Sequence, residues 1–192
     1  MDSIELFSGT SVLALGFQLS GFNHTALYEW DKDSWDNLKF NIKNGYPAIK
    51  EWQVYQTDVR TVHYDDYTGK IQLVAGGSPC QPFSLWGKHQ AYNDKRDMFP
   101  EAVRAGRKVR PKVFIFENVR GLLRKSFSEF FNYILLHLQH PDIPKGADMT
   151  WLEHLALLEK HHTAGTEDGL AYNAVFRLLP QSANRSTIKW KG

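Results

Sequence analysis

The chain has 192 residues, a formal net charge of +2 and 42% hydrophobic residues, which is typical of one folded domain with a sizeable core. No apolar run approaches the roughly 18 residues of a membrane span, which argues against a membrane protein. The single cysteine, Cys80, excludes an internal disulfide and fits a reducing compartment. We therefore expect a cytoplasmic protein.

Positive charge is concentrated in one part of the chain. Residues 88–125 hold 11 Lys and Arg against 4 Asp and Glu. A basic block in a nearly neutral chain indicates either an anionic partner such as nucleic acid or an exposed helix face with scattered counterions. Charge alone does not choose between these two interpretations.

The apolar pattern predicts strands that alternate with helices along the first 125 residues. The predicted strands are 3–7, 25–30, 53–56, 71–75 and 113–116, and the predicted helices are 12–19, 32–43 and 97–109. This alternation indicates an α/β fold with a mostly parallel sheet and helices on both faces. From Phe127 onward, residues 127–138 and 151–162 predict helices, and residues 172–179 are a candidate strand.

Polar residues or glycines follow each predicted strand. They are Ser8-Gly9, Glu29-Trp30, Asp58, residues 78–84 and Glu117-Asn118. Because ligands of parallel sheets bind outside the carboxyl ends of the strands, we expect these residues to line one site.

Cys80 lies in the stretch Ser-Pro-Cys-Gln-Pro-Phe-Ser, directly after a predicted buried strand. Prolines on both sides restrict the backbone and fix the position of the thiol. Basic neighbours such as Lys88 and Arg96 are suited to stabilising a thiolate. The pattern favours a nucleophile over a buried apolar cysteine. Glu117, at the next strand end, is either a proton donor or an ordinary surface carboxylate.

Three features indicate a cofactor that contains a nucleoside. Phe7-Ser8-Gly9 forms a glycine turn, although Ser11 stands where the full Gly-x-Gly-x-x-Gly pattern has a second glycine. Glu29 and Asp58 are placed to accept hydrogen bonds from a ribose and an adenine amine. Trp30 offers a face for stacking.

Together these residues resemble the cytosine-5 DNA methyltransferases. The resemblance rests on residues 5–9, 15–17, 29–31, 58–59, 77–84, 94–97 and 117–122, and it extends from about residue 3 to Leu179. It implies a Rossmann-like S-adenosyl-L-methionine-dependent methyltransferase fold that is truncated at its C-terminus. We expect a cofactor-binding and catalytic core at 1–125, a helical extension with a candidate strand at 126–179, and a divergent tail at 180–192.

The resemblance also implies roles for individual residues. Cys80 would add to carbon 6 of a flipped cytosine and Glu117 would bind ring nitrogen 3, with Asn118 as a third catalytic residue. S-adenosyl-L-methionine would be held by Phe7, Ser8, Gly9, Glu29, Trp30, Asp58, Val59 and Pro79. DNA would be contacted by Ser84, Lys88, Arg96 and Arg120. No metal site is expected, because no cysteine or carboxylate completes the histidine pairs.

The resemblance ends after Leu179. Ala183 stands where the family has the first of two arginines, and Arg185 matches the second. The family's target-recognition domain and final helix have no counterpart here. The resemblance therefore implies a DNA methyltransferase of a restriction-modification or phage system. This chain would be either its catalytic part, working with a second chain that recognises DNA, or an inactive remnant. A transfer-RNA methyltransferase is a third interpretation.

Overall fold

The computed structural model describes residues 1–79, 97–165 and 169–179. Within these ranges the strands are β1 (Asp2–Leu6), β2 (Asn23–Glu29), β3 (Val54–Gln56), β4 (Leu73–Gly77) and β5 (Val113–Glu117). The helices are α1 (Val12–Leu19), α2 (Lys32–Lys43), α3 (Phe99–Val109), α4 (Ser128–Gln139) and α5 (Trp151–Ala164). All strand pairs are parallel, and the sheet order is β3-β2-β1-β4-β5. The predicted α/β fold is confirmed.

Helices cover both faces of the sheet. On one face, Ala105 and Val109 of α3 pack against Ile4 of β1. On the opposite face, Ala14 of α1 packs with Leu27 of β2 in a cluster that also includes α2. Successive strand residues point to opposite faces, so the central strands contribute to both cores and must be apolar along their length.

The helix ends follow the capping residues in the sequence. Asp31 accepts a hydrogen bond from the Ser34 N–H at 2.8 Å, so α2 begins where its N-cap predicts. At α5, Thr150 and Glu153 form a reciprocal capping box. Gly165 ends α5 with a φ of 63°, a left-handed conformation that glycine adopts without a steric penalty.

The close approach of α3 to β5 depends on Gly106. A Cβ at this position would lie 2.1 Å from Cζ of Phe114, so any larger residue would push the ring away. This contact fixes the helix that follows Cys80 in sequence against the strand that ends at Glu117.

The helical extension packs against the start of α3 through Phe99, Phe130 and Leu158. His154 is fully buried there. Its Nδ1 lies 3.0 Å from the Tyr133 hydroxyl, and its Nε2 lies 3.0 Å from the Ile143 carbonyl. Burial also lowers the pKa of His137 to about 3. These two histidines therefore act as neutral core residues.

Residues 172–179 do not form the predicted strand. The Tyr172 N–H donates to the Gln139 carbonyl at 2.9 Å, and the Tyr172 hydroxyl donates to the Pro111 carbonyl at 2.6 Å. The Tyr172 ring lies 4.4 Å from that of Phe114. The segment is held by side-chain packing and by the end of α4, so its backbone does not join the ladder of β5. Among the described residues, β5 is therefore an edge strand.

None of the helices in the described ranges has the length and apolar character needed to cross a membrane. The same ranges contain no group of three or more His, Cys, Asp or Glu side chains arranged to hold a metal ion.

Candidate active site

The residues that follow the five strands lie at one edge of the sheet. Because every strand is parallel, Ser8, Glu29, Asp58, Ser78 and Glu117 all stand at or just beyond the carboxyl ends. The predicted convergence is therefore observed for the described members of the set.

The loop between β1 and α1 is tightly held. The Ser8 N–H and hydroxyl both donate to the Tyr28 carbonyl at 3.1 Å, and the Ser11 N–H donates to the Ser8 carbonyl at 2.6 Å. Phe7 and Ser11 have left-handed φ angles of 55° and 57° although neither is glycine. Such strain persists only where surrounding contacts enforce it, and it is concentrated at ligand-binding sites. Ser11 thus adopts the conformation that favours glycine, at the position where the Gly-x-Gly-x-x-Gly pattern has one.

Glu29 connects this loop to the end of β2. Its side chain is buried, with one carboxylate oxygen accepting the Gly9 N–H at 2.5 Å and the other accepting the Asp31 N–H at 2.6 Å. A carboxylate has about four acceptor sites, so these two bonds leave acceptor capacity for ligand hydroxyls. The neighbouring Trp30 is 67% exposed and presents an open ring face beside it.

Asp58 lies beyond β3, at the start of the 3-10 turn Val59–Thr61. Its carboxylate accepts from the Arg60 N–H at 2.9 Å and from Arg60 Nε at 2.8 Å, and it also pairs with Nη2. These hydrogen bonds hold the pKa of Asp58 below its ordinary value. From the sequence, Asp58 was interpreted as an acceptor for the cofactor, and its pairing with Arg60 was not predicted. Arg60 uses part of the hydrogen-bonding capacity of the Asp58 carboxylate. Val59 itself is buried.

Three buried polar atoms near this edge have no hydrogen-bond partner among the described residues: Glu5 Oε2, Ser11 Oγ and Ser78 Oγ. Burial raises the pKa of the Glu5 carboxyl to about 8, so the group is neutral at pH 7. An unsatisfied buried polar group costs about 1–3 kcal/mol, and a ligand that supplies partners would recover that energy. Ser78 belongs to the predicted site stretch 78–84, whereas Glu5 and Ser11 were not identified as site residues from sequence, since they lay within segments interpreted as strand and turn.

Ser11 provides a direct test of this loop. The substitution Ser11→Gly removes both the left-handed strain and the orphaned hydroxyl, so we expect the free energy of unfolding to rise by about 1 kcal/mol. Urea denaturation measures the change. Ser20→Gly is the matched control, because Ser20 has a φ of −89° and its hydroxyl donates to the Gly16 carbonyl. We expect Ser20→Gly to lower the free energy of unfolding. Equal losses in both variants would contradict the interpretation.

The Cys80 side of the site is described up to Pro79, which is half-buried. Glu117 Oε2 lies 3.7 Å from where a Gly77 Cβ would stand, three residues before Cys80. Asn118 Nδ2 donates to the Ser78 carbonyl at 3.1 Å, and Asn118 Oδ1 accepts the Val119 N–H at 2.8 Å. Asn118 thus connects the ends of β4 and β5.

Cys80, Ser84, Lys88 and Arg96 lie outside the described residues, so their predicted roles remain predictions. Arg120 is described and exposed, just beyond Glu117. Part of the basic block, residues 97–125, lies within the described residues. Within it, Lys108 pairs with Asp65 at 3.0 Å, and Arg110 pairs with Asp142 at 3.1 Å.

Comparison with known proteins provides a family match. A family model described as C-5 cytosine-specific DNA methylase matches residues 1–142. Type II methyltransferase M.NgoMIV of Neisseria gonorrhoeae is 40% identical over 132 residues, which are 69% of this chain and 40% of that protein. Type II methyltransferase M.PspPI of a Psychrobacter species is 33% identical over 186 residues, or 96% of this chain and 38% of that protein.

A solved structure agrees with these matches. The crystal structure of a DNA modification methyltransferase encoded within an E. coli prophage superposes with a TM-score of 0.52 and 26% sequence identity. The match covers 70% of this chain and 36% of the other. The chain therefore spans about two fifths of the length of the curated relatives cited above.

Proposed function

Because the chain belongs to the C-5 cytosine-specific DNA methylase family, we propose that it is the cofactor-binding and catalytic part of a DNA cytosine-5 methyltransferase. It acts in the cytoplasm, in a restriction-modification or phage modification system. The observation that carries the proposal is the position of Glu29 and Asp58 on the same sheet edge as Glu117 and Asn118. The proposed nucleoside acceptors and the proposed groups for base chemistry thus share one edge of the sheet.

The cofactor in this proposal is S-adenosyl-L-methionine, whose sulfonium supplies an electrophilic methyl group. The residues proposed to hold it are Phe7, Ser8, Gly9, Glu29, Trp30, Asp58, Val59 and Pro79. Glu29 accepts hydrogen bonds from the ribose hydroxyls, Trp30 stacks on the adenine, and Asp58 accepts from the adenine amine. The unpartnered buried hydroxyls of Ser11 and Ser78 fit this polar ligand, because they can exchange hydrogen bonds that no described protein group uses.

The reaction begins when the Cys80 thiolate forms a bond to carbon 6 of a cytosine turned out of the DNA stack. Glu117 donates a hydrogen bond to ring nitrogen 3, so carbon 5 gains the electron density needed to attack the methyl group. Methyl transfer would leave S-adenosyl-L-homocysteine. Loss of the carbon 5 proton to solvent water would then re-form the double bond between carbons 5 and 6, return the Cys80 thiolate and release 5-methylcytosine. Asn118 keeps the β4 and β5 ends in register through its bond to the Ser78 carbonyl at 3.1 Å.

DNA phosphates require cations on the same side of the sheet. Ser84, Lys88, Arg96 and Arg120 are the proposed contacts. Arg124 and Lys125 are further candidates, because both are exposed just after Arg120 and neither forms an ion pair within the part of the chain that the structure describes.

A second chain that completes the sheet and reads the DNA sequence is part of this proposal. Val113 and Ile115 on the edge strand β5 are 47% and 41% exposed, and Val12 and Leu19 on α1 are 76% and 75% exposed. Apolar surface of this kind favours an interface. The competing possibility is a remnant of a methyltransferase that binds cofactor and does not turn over.

Transfer of a labelled methyl group to DNA tests the proposal. The 192-residue chain is assayed with and without the polypeptide encoded immediately downstream, and transfer RNA serves as a parallel substrate. We expect label in DNA as 5-methylcytosine when the second polypeptide is present. No transfer under either condition, from a chain that binds cofactor, would favour the remnant; label in transfer RNA alone would contradict the DNA substrate.

A further inference from the structure

Arg104 of α3 reaches across to the turn that carries Asp58 and Val59. Its Nη2 donates to the Val59 carbonyl at 2.7 Å, and its Nη1 donates to the Val62 carbonyl at 3.1 Å. The two bonds span the 3-10 turn Val59–Thr61 from outside. A planar guanidinium with two parallel donors matches two adjacent carbonyls in a way that a lysine ammonium does not.

The guanidinium is itself fixed on two sides. Arg104 Nε donates to Glu101 Oε2 at 2.6 Å, one helical turn earlier, and the side chain is only 26% exposed. Arg104 Cζ lies 4.8 Å from the centre of the Tyr64 ring, which is fully buried. Stacking on Tyr64 and pairing with Glu101 together hold the guanidinium in one orientation.

The Val59 carbonyl is the centre of this arrangement. It accepts from Arg104 Nη2, from the Val62 N–H at 3.2 Å and from the Tyr64 hydroxyl at 3.4 Å. A short three-residue turn has few internal hydrogen bonds to define its shape. The contacts from α3 and Tyr64 therefore set where Asp58 and Val59 lie.

We propose that Arg104, held by Glu101 and Tyr64, is a positioning residue that fixes the Asp58-Val59 turn for recognition of the adenine end of the cofactor. The proposal rests on the proposed cofactor function. Arg104 does not touch the ligand; it acts through the backbone carbonyls of the turn. Without the two guanidinium hydrogen bonds, the turn would shift. The preference for a ligand with the adenine amine would then fall more than the affinity for the other parts of the cofactor.

Calorimetric titration of the 192-residue chain tests this. The ligands are S-adenosyl-L-homocysteine and its inosine counterpart, which carries an oxygen in place of the adenine amine. We expect Arg104→Met to weaken binding of the adenosine ligand by about tenfold and to reduce its preference over the inosine ligand. Arg104→Lys has a single donor group, so we expect its affinity for the adenosine ligand to lie between those of Arg104→Met and the wild type.

Arg107→Met is the matched control, because Arg107 lies on the same helix and the hydrogen bonds to the Val59 and Val62 carbonyls among the described residues come from Arg104 and not from Arg107. It should leave both affinities unchanged. Urea unfolding of each variant identifies conditions in which the protein is folded. Equal weakening of both ligands by Arg104→Met would indicate a merely structural residue and overturn the inference. Failure of the wild type to bind either ligand would instead contradict the proposed cofactor function.

Discussion

Replacing Glu5 with glutamine should raise the free energy of unfolding by about 3 kcal/mol at pH 7 and by almost nothing below pH 4. Glu5 is 1% exposed in the central strand β1, and burial raises the pKa of its carboxyl from 4.5 to about 8. In the folded protein the group stays neutral at pH 7, whereas in the unfolded chain it ionises. The unfolded state is thereby favoured by about 1.4 kcal/mol for each pH unit above 4.5.

The sign of the pH dependence makes this result specific. Between pH 4.5 and 8 the folded state binds more protons than the unfolded state, so stability of the wild type falls as the pH rises. Glu5→Gln removes that slope, because glutamine does not titrate. Urea unfolding at pH 5, 6, 7 and 8 measures it. Glu51→Gln is the matched control, since the Glu51 side chain is 85% exposed and its replacement should change stability by less than about 0.5 kcal/mol. Parallel pH profiles for the wild type and Glu5→Gln would contradict the prediction.

Replacing Cys80 with serine should abolish covalent trapping on DNA that contains 5-fluorocytosine. A fluorine at carbon 5 cannot leave as the proton does, so the bond between sulfur and carbon 6 persists and the adduct survives denaturing electrophoresis. A serine hydroxyl is a much weaker nucleophile than a thiolate at neutral pH. We expect methyl transfer to fall by at least about 1,000-fold, which is the scale of loss when a covalent nucleophile is removed.

Cys80 is the only cysteine in the chain, so no second thiol can replace it. The assay uses the chain together with the second polypeptide of the proposed function. Cofactor affinity should stay unchanged in Cys80→Ser, which separates loss of chemistry from loss of folding. An adduct that persists in the variant would show that another group attacks the base. Absence of an adduct from the wild type would contradict the reaction itself.

Local patterns predicted the elements of the fold well. The apolar spacing after Ser11 predicts a helix from Val12 to Leu19, and α1 has those bounds. Asp31 predicts the start of α2, because a cap acts on its own first turn. The candidate strand over 172–179 was wrong: an apolar stretch shows which side chains can be buried, whereas a strand also needs a neighbour whose backbone groups face it. Tyr172 instead bonds to the end of α4.

The supporting contacts of the site could not be predicted in the same way. Arg104 lies 45 residues after Val59, and nothing in the sequence between them indicates that they meet. The Arg60 pairing with Asp58 is local, but the sequence does not reveal whether an exposed arginine turns towards a carboxylate or towards solvent. The burial of Glu5 could not be predicted either, because it depends on the neighbouring strands β2 and β4 and on the helices that cover the sheet. The positions of the residues at the strand ends follow from chain order in a parallel sheet, so sequence can predict which residues share that edge.

The edge of β5, which no described strand covers, has a consequence for the second chain proposed above. A strand carried on the same polypeptide would meet β5 at an effective concentration in the millimolar range, independent of expression level. A strand carried on a separate polypeptide meets it in a bimolecular reaction, in competition with the β5 edges of other copies of this chain. In the proposal with a second chain, simultaneous production of the two chains would therefore favour the correct pairing, and delayed production of the second would favour self-association.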